Sequence, residues 1–203
     1  DCLVELCGAF RERFATADLR VQSEVLGAVD ALVLSGACQL GVTGSVQESP
    51  PELERAFLTY IAMVPVVAAT HPLAQLAAPV ATFAVCDHVQ VVISERDARR
   101  ATVDRGILSP RVWRVADAAT KHALIRGGLG WGRLPLPMVR DDLASGRLVQ
   151  LEMVAWGPAP GREPLQVVYR KDSPPGPMGK WIIEHLHGRC LRCASGASQG
   201  CFC

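Results

Sequence analysis

The sequence predicts an α/β fold with mainly parallel sheets, and three observations carry that reading. Helical and strand periodicities alternate along the chain, the strand-like runs are short and apolar, and helix-length stretches separate them at the spacing of βαβ crossovers. With 203 residues and 49% hydrophobic side chains, the chain has enough apolar mass for one domain or two small lobes.

Leu3, Cys7, Phe10 and Phe14 recur at three- and four-residue spacings among Glu5, Arg11, Glu12 and Arg13, which places one apolar stripe on a first helix. Leu19, Val21, Ser23 and Val25 then alternate with Arg20, Gln22 and Glu24, the pattern of a strand. A helix over 26–35 ends at Gly36, and a short strand over 39–43 leads to Gly44. Pro50 and Pro51 predict a helix start, because proline at the first helical position gives up no hydrogen bond; 57–69 reads as a largely buried strand.

Beyond His71 and Pro72 the alternation resumes with strand 89–93, helix 95–104, strand 112–115, helix 117–126 and strand 131–134. A helix over 137–144 stops at Gly146, followed by strand 147–154, a Pro/Gly-rich loop over 157–164, strand 165–170 and helix 177–187. Joins near 68–72 and again near 164–169 predict two lobes with a double crossover hinge. Residues 1–68 and 166–187 form the first lobe and 69–165 the second, leaving 188–203 as a cysteine-rich tail outside the fold.

Composition narrows the function. Lysine plus arginine (21) nearly balance aspartate plus glutamate (20) without a basic stripe, so this chain alone is not expected to hold DNA. The longest uncharged apolar stretch, 60–69, is far shorter than the roughly 20 residues of a membrane span. No signal peptide opens the sequence, so a cytoplasmic location without a membrane partner is expected. Cys2, Cys7, Cys38 and Cys86 are dispersed through apolar segments and read as free thiols, which pack as small hydrophobes.

Several motifs invite sharper readings that their context does not favour. Gly127, Gly128, Gly130 and Gly132 follow a helix and precede a strand, the reverse of a dinucleotide fingerprint, and read as a C-cap and tight turn; no cofactor is expected. Gly196, Ser198 and Gly200 match a hydrolase elbow but lack the strand and helix around it, and no other triad is marked. Cys190, Cys193, Cys201 and Cys203 supply four thiolates, yet the second pair is too tightly spaced for a zinc knuckle, so no metal is expected. The four tryptophans are scattered and not interleaved with basic residues, unlike a stacking platform for nucleic acid. Lys121 and His122 read as solvated or dimer-facing, with a ligand-facing position as the alternative.

Five segments in order resemble the effector-binding domain of LysR-type transcription regulators. They are LVELCGAFRERFATADLRVQSEV, LVLSGACQLGVTG, MVPVVAATHPLA, DAATKHALIRGGLGWGRLPLPMVRDDLASGRLVQL and PLQVVYRKDSPPGPMGKWIIEHL, together spanning about Cys2 to Leu186. The resemblance implies a two-lobe fold like type 2 periplasmic binding proteins and a small-molecule effector in the inter-lobe cleft. It also implies a homodimer or tetramer, with DNA bound only through an N-terminal helix-turn-helix that this sequence lacks. A transport-type solute-binding protein of the same fold is the alternative; an enzyme would need a catalytic constellation, and none is marked. Ligands of βα folds gather beyond strand C-termini, where helix N-termini present unpaired amides. This predicts effector contacts at Thr43, Gly44 and Ser45 in the first lobe, Ser94 and Glu95 in the second, and Thr70 with His71 at the hinge. Helix N-termini and hydroxyls favour a small anion.

Overall fold

A computed structural model describes residues 2–24, 27–44, 50–94, 106–157, 159 and 161–194. The chain divides into two compact units, Asp1–Ile61 with Pro164–Cys203 and Ala62–Glu163. It passes from one to the other inside two long strands, β2 (Leu53–Ala68) and β7 (Gly161–Arg170).

In the first unit, β1 (Gly41–Thr43) runs antiparallel to β7 with Gly41 opposite Val168 and Thr43 opposite Gln166, and β7 lies between β1 and β2. Helix α2 (Ala28–Leu34) closes over these strands, sealing Val33 against Leu53 and Val168. A buried ion pair between Asp30 and Arg55 ties α2 to β2. Helices α1 (Cys2–Arg13) and α6 (Pro177–Ala194) pack through an aromatic cluster, Phe10 and Phe14 lying 6.0 and 5.4 Å from Trp181 between ring centroids. Leu6 and Phe10, four residues apart, form the buried stripe of α1, whereas Leu3 at its start is exposed together with Val4.

Three sequence expectations are corrected here. Residues 19–24 form no strand: their alternation describes two faces, but a strand also needs a partner edge, and both Leu19 and Val21 are exposed. Val25, the last residue of that pattern, lies outside the described residues. No helix follows Pro50 and Pro51; the chain turns there and enters β2 at Leu53. Helix α6 continues past Gly188 to Ala194, so Cys190 and Cys193 lie on a helix, while Cys201, Cys203 and the Gly196 to Gly200 motif are outside the described residues.

The second unit is built around β3 (Gln90–Ile93), β4 (Val112–Val115) and β5 (Trp131–Pro135). β3 is parallel to both neighbours, as crossover connections require, with Gln90 opposite Val112 and Trp131. β2 joins antiparallel, pairing with β5 from Met63–Pro135 to Val67–Trp131 and with β6 (Leu148–Gln150) on its other side, which makes the sheet mixed. On one face, α4 (Ala118–Arg126) and α5 (Leu136–Ala144) set Ile125 and Val139 against Val64, Val66, Val91 and Leu134. On the other, Trp131, Val67 and Met153 meet Leu73 and Val85, the last on the short helix α3 (Thr82–Val85). These side chains are almost wholly buried, and each contributes about 1.5 to 3 kcal/mol. They make this sheet a rigid mount for whatever its edges carry. The helix expected over 95–104 lies outside the described residues.

Candidate functional site

Because β3, β4 and β5 are parallel, their C-terminal ends open on one edge of the second unit, and α4 and α5 start from that edge. The Ser94 amide, just past β3, donates to the Val115 carbonyl at 3.1 Å and ties the ends of β3 and β4 together. Two residues further, Asp117 caps α4: its carboxylate accepts from the Thr120 amide at 2.7 Å and the Thr120 hydroxyl at 2.8 Å. The side-chain hydroxyl of Ser94 forms no hydrogen bond with the described residues.

Lys121 lies one turn into α4 and is only 7% exposed. It falls four residues before the fully buried Ile125 and therefore shares the face that α4 presses onto the sheet. Its stem lies over Gly132 of β5, where an added Cβ would stand 3.0 Å from the lysine Cε and 2.6 Å from the Val91 carbonyl oxygen. A side chain at Gly132 is excluded first by the Val91 backbone and then by the lysine stem. Burial, reinforced by the Arg133 guanidinium, lowers the Lys121 amine from 10.5 to about 8. Among the described residues no carboxylate pairs with it.

Among the described residues, Asp142 and Glu163 are paired with other side chains. His122 Nε2 meets Asp142 Oδ2 at 2.6 Å, and Arg147 Nε donates to Asp142 Oδ1 at 2.6 Å. Hydrogen bonds from Arg147 and His122 hold the Asp142 carboxyl below the usual carboxylate range. Arg133 faces Glu163 at 3.7 Å and stacks over Trp156 at 5.2 Å. Beside it a cavity of about 20 Å³, lined by Met63, Pro65, Met153 and Gly161 among others, has room for one water and not for an organic ligand.

The opposite end of the same sheet holds Thr70 and His71. β2 is antiparallel to β5, so its C-terminal end meets the beginnings of β3 and β5 and lies away from Ser94. His71 is buried; its Nδ1 accepts from the Leu73 amide at 3.1 Å, capping a 3₁₀ turn over Pro72–Gln75, and its ring lies 4.9 Å from His88. Burial and the neighbouring His88 lower its pKa. Thr70 lies beside the turn at Gly128, whose φ of 76° is the left-handed geometry that ends α4. The structure therefore places Ser94 at one edge of the unit and Thr70 with His71 at the other.

In the first unit, Thr43 ends β1 and is buried, and Gly44 follows it. The Thr43 hydroxyl makes no hydrogen bond to the described residues. Ser45 and Glu95 lie outside the described residues.

The family model of the LysR substrate binding domain matches residues 1–191. The chain belongs to the LysR substrate-binding-domain family. A search of curated proteins finds no significant match. Among solved structures, this LysR domain is similar to the regulatory domain of MetR, a LysR family regulator from N. meningitidis, with 19% identity. That match covers 94% of this chain and 89% of the other at a TM-score of 0.70. It is similar also to the C-terminal domain of a probable LysR family transcriptional regulator from Rhodococcus sp. RHA1, with 19% identity, 91% of each chain covered and a TM-score of 0.68. A third is the effector binding domain of QuiR in complex with shikimate, with 16% identity, 94% and 90% covered and a TM-score of 0.68.

For the LysR domain, the residue that sequence reasoning misplaced is Lys121, read as solvated or dimer-facing. A signal was available: once Asp117 is taken as the cap, Lys121 and Ile125 fall on one face of α4, and Gly132 leaves that face room for a long side chain. No helix of the described residues is long and apolar enough to cross a membrane.

Proposed function

We propose that this LysR substrate-binding domain senses its small-molecule effector at the C-terminal edge of β3, β4 and β5, with Ser94 as a direct contact; Thr43 and Gly44, after β1, are proposed as contacts on the sequence reading. One observation carries the reading: the fold positions Ser94 at this edge and leaves its hydroxyl without a hydrogen-bond partner among the described residues, as a ligand site requires. Ser45 and Glu95, which follow Gly44 and Ser94 in the sequence, are proposed with them. Thr70 and His71 are assigned to structural support, because His71 already spends its acceptor on a turn.

The domain acts without catalysis: the binding energy of the effector favours one arrangement of the protein over another, and that difference is the signal. DNA binding belongs to a helix-turn-helix outside this sequence, and the location is cytoplasmic. Exposed Leu3 and Val4 on α1 support self-association into a homodimer.

Thermal unfolding of the domain against a panel of metabolites tests the reading, with shikimate and 2-PG included because structurally similar domains were solved with them. At least one compound is expected to raise the melting temperature in a concentration-dependent way and to be recovered unchanged. A panel without any stabilising compound, or one in which a compound is turned over, contradicts it.

A further inference from the structure

We infer that His71 is an acid-released clasp: protonation of its ring, beside His88, frees the turn over 71–76 from the end of the second unit's sheet while the rest of that unit stays folded. The clasp lies at the end of the sheet opposite Ser94 and does not depend on the effector reading. His71 closely follows β2 and is more than nine-tenths buried. Its Nδ1 accepts from the Leu73 amide at 3.1 Å and so caps the 3₁₀ turn Pro72–Gln75, which carries the buried Leu73 into the cluster of Val67, Val85, Trp131 and Met153. The rest of the turn is held lightly: the Gln75 side chain reaches the Ala69 carbonyl at 3.4 Å, and Leu76 is exposed. Further along, Ser109 pins the segment by donating to the carbonyls of Cys86 and His88 at 3.3 and 2.8 Å. An opening is therefore confined to the start of the segment.

The acceptor role fixes the protonation state. Nδ1 accepts a hydrogen bond only in the neutral ring; a proton there sets two donors against each other and strands the Leu73 amide in the interior. The His88 ring stands edge-on at 4.9 Å, so a second charge adds repulsion. The groups around the pair do not cancel it. Asp87 is exposed and faces Arg111 at 3.9 Å, Arg147 is bound to Asp142, the Glu152 side chain is exposed, and the turn at Gly127 and Gly128 carries no charge. Among the described residues neither ring has a carboxylate partner. Burial, reinforced by His88, holds the His71 pKa below its ordinary 6.5, so the clasp is closed at neutral pH and opens as pH falls through that value and below it. Capping alone does not call for this residue. Serine, threonine, asparagine or aspartate caps a turn without titrating near neutrality, whereas imidazole changes charge between about pH 5 and 8.

Amide hydrogen exchange read by NMR on the ligand-free domain tests this from about pH 8 to about pH 5, each rate divided by the intrinsic rate at that pH. Protection of the Leu73 amide, and of the Ala74 amide that donates to the His71 carbonyl, is expected to fall below pH 6.5. For a single proton the fall is up to about tenfold per pH unit. The amides of Trp131 and Leu151, which bond the Val89 and Pro65 carbonyls, are expected to keep their protection, and the His71 ring signals to titrate over the same range. His71→Asn retains a cap without the charge and is expected to hold Leu73 protection level across the range. His88→Phe is expected to lessen the fall. Leu73 protection that does not change with pH in the wild type overturns the inference, as does an equal fall in His71→Asn. A fall shared equally by Trp131 and Leu151 shows that His71 acts on the whole unit and overturns the clasp as well. The wild-type series decides by itself if a variant does not fold.

Discussion

The two ends of the second unit's sheet use polar residues in opposite ways. At the end where β3 begins, they are spent on the fold. The buried Gln90 side chain donates to the Gly106 carbonyl at 2.8 Å and accepts from the amides of Leu108 and Ser109 at 2.8 and 3.0 Å. Ser109 in turn donates to the His88 carbonyl at 2.8 Å, and His71 caps its turn. At the end where β3 stops, the Ser94 hydroxyl is held without a hydrogen-bond partner among the described residues, and Lys121 of α4, which starts from that end, is buried without a carboxylate among them. Both ends rest on the same core, so packing does not explain the difference. Polar groups that satisfy backbone build the scaffold, and polar groups the scaffold leaves unsatisfied mark where a ligand completes it.

The contrast breaks first at Gln90. Replacing it with alanine strands three backbone groups in the interior, and a loss of about 3 kcal/mol is expected in urea unfolding. A loss within 0.5 kcal/mol, roughly that of a surface substitution, shows that the network there is not structural.

At the other end the sign reverses. Lys121→Met is expected to stabilise the ligand-free domain by about 1 kcal/mol or more, because it removes a charge buried without a partner. The pH dependence sharpens this. With the amine lowered to about 8 in the folded state and 10.5 unfolded, the unfolded chain binds more protons between those values. Wild-type stability therefore rises with pH across that window relative to Lys121→Met, and equal slopes in the two proteins show that Lys121 is not buried in solution.

His71→Ala is expected to cost about 1 kcal/mol, the usual value of a lost cap. Its lowered pKa means that the neutral ring is favoured in the fold. The wild type therefore loses stability as pH falls through the ordinary histidine value of 6.5 and below it, and the variant loses less. Ligand affinity unchanged in this variant separates support from contact. Ser94→Ala stands last, within about 0.5 kcal/mol in stability. It weakens ligand binding by about tenfold in calorimetry, as does Thr43→Ala. Unchanged affinity in both variants places the site elsewhere.

The legible parts of the fold were those fixed by local pattern. The strand at Val112–Val115 and the helix over Ala118–Arg126 follow from local periodicity within a few residues. Illegible were features that depend on a remote partner. Residues 19–24 alternate like a strand but have no edge to join, and Pro50 with Pro51 turn the chain because Leu53 is claimed by the core beside Val168. At the site, Ser94 was legible as a residue after a strand. The separation of His71 from Ser94 was not, since it depends on β2 running antiparallel to β5, and the burial of Lys121 required the register of α4 over Gly132.

The most direct test of the account follows backbone amides of the labelled domain by NMR while the most strongly stabilising compound of the metabolite panel is added. The expected shifts cluster at Ser94, at residues 118–121 and at the start of α5, with His71, His88 and Gln90 unmoved. Shifts concentrated at His71, His88 and Gln90 instead would place the ligand at the end assigned here to structure and contradict the account.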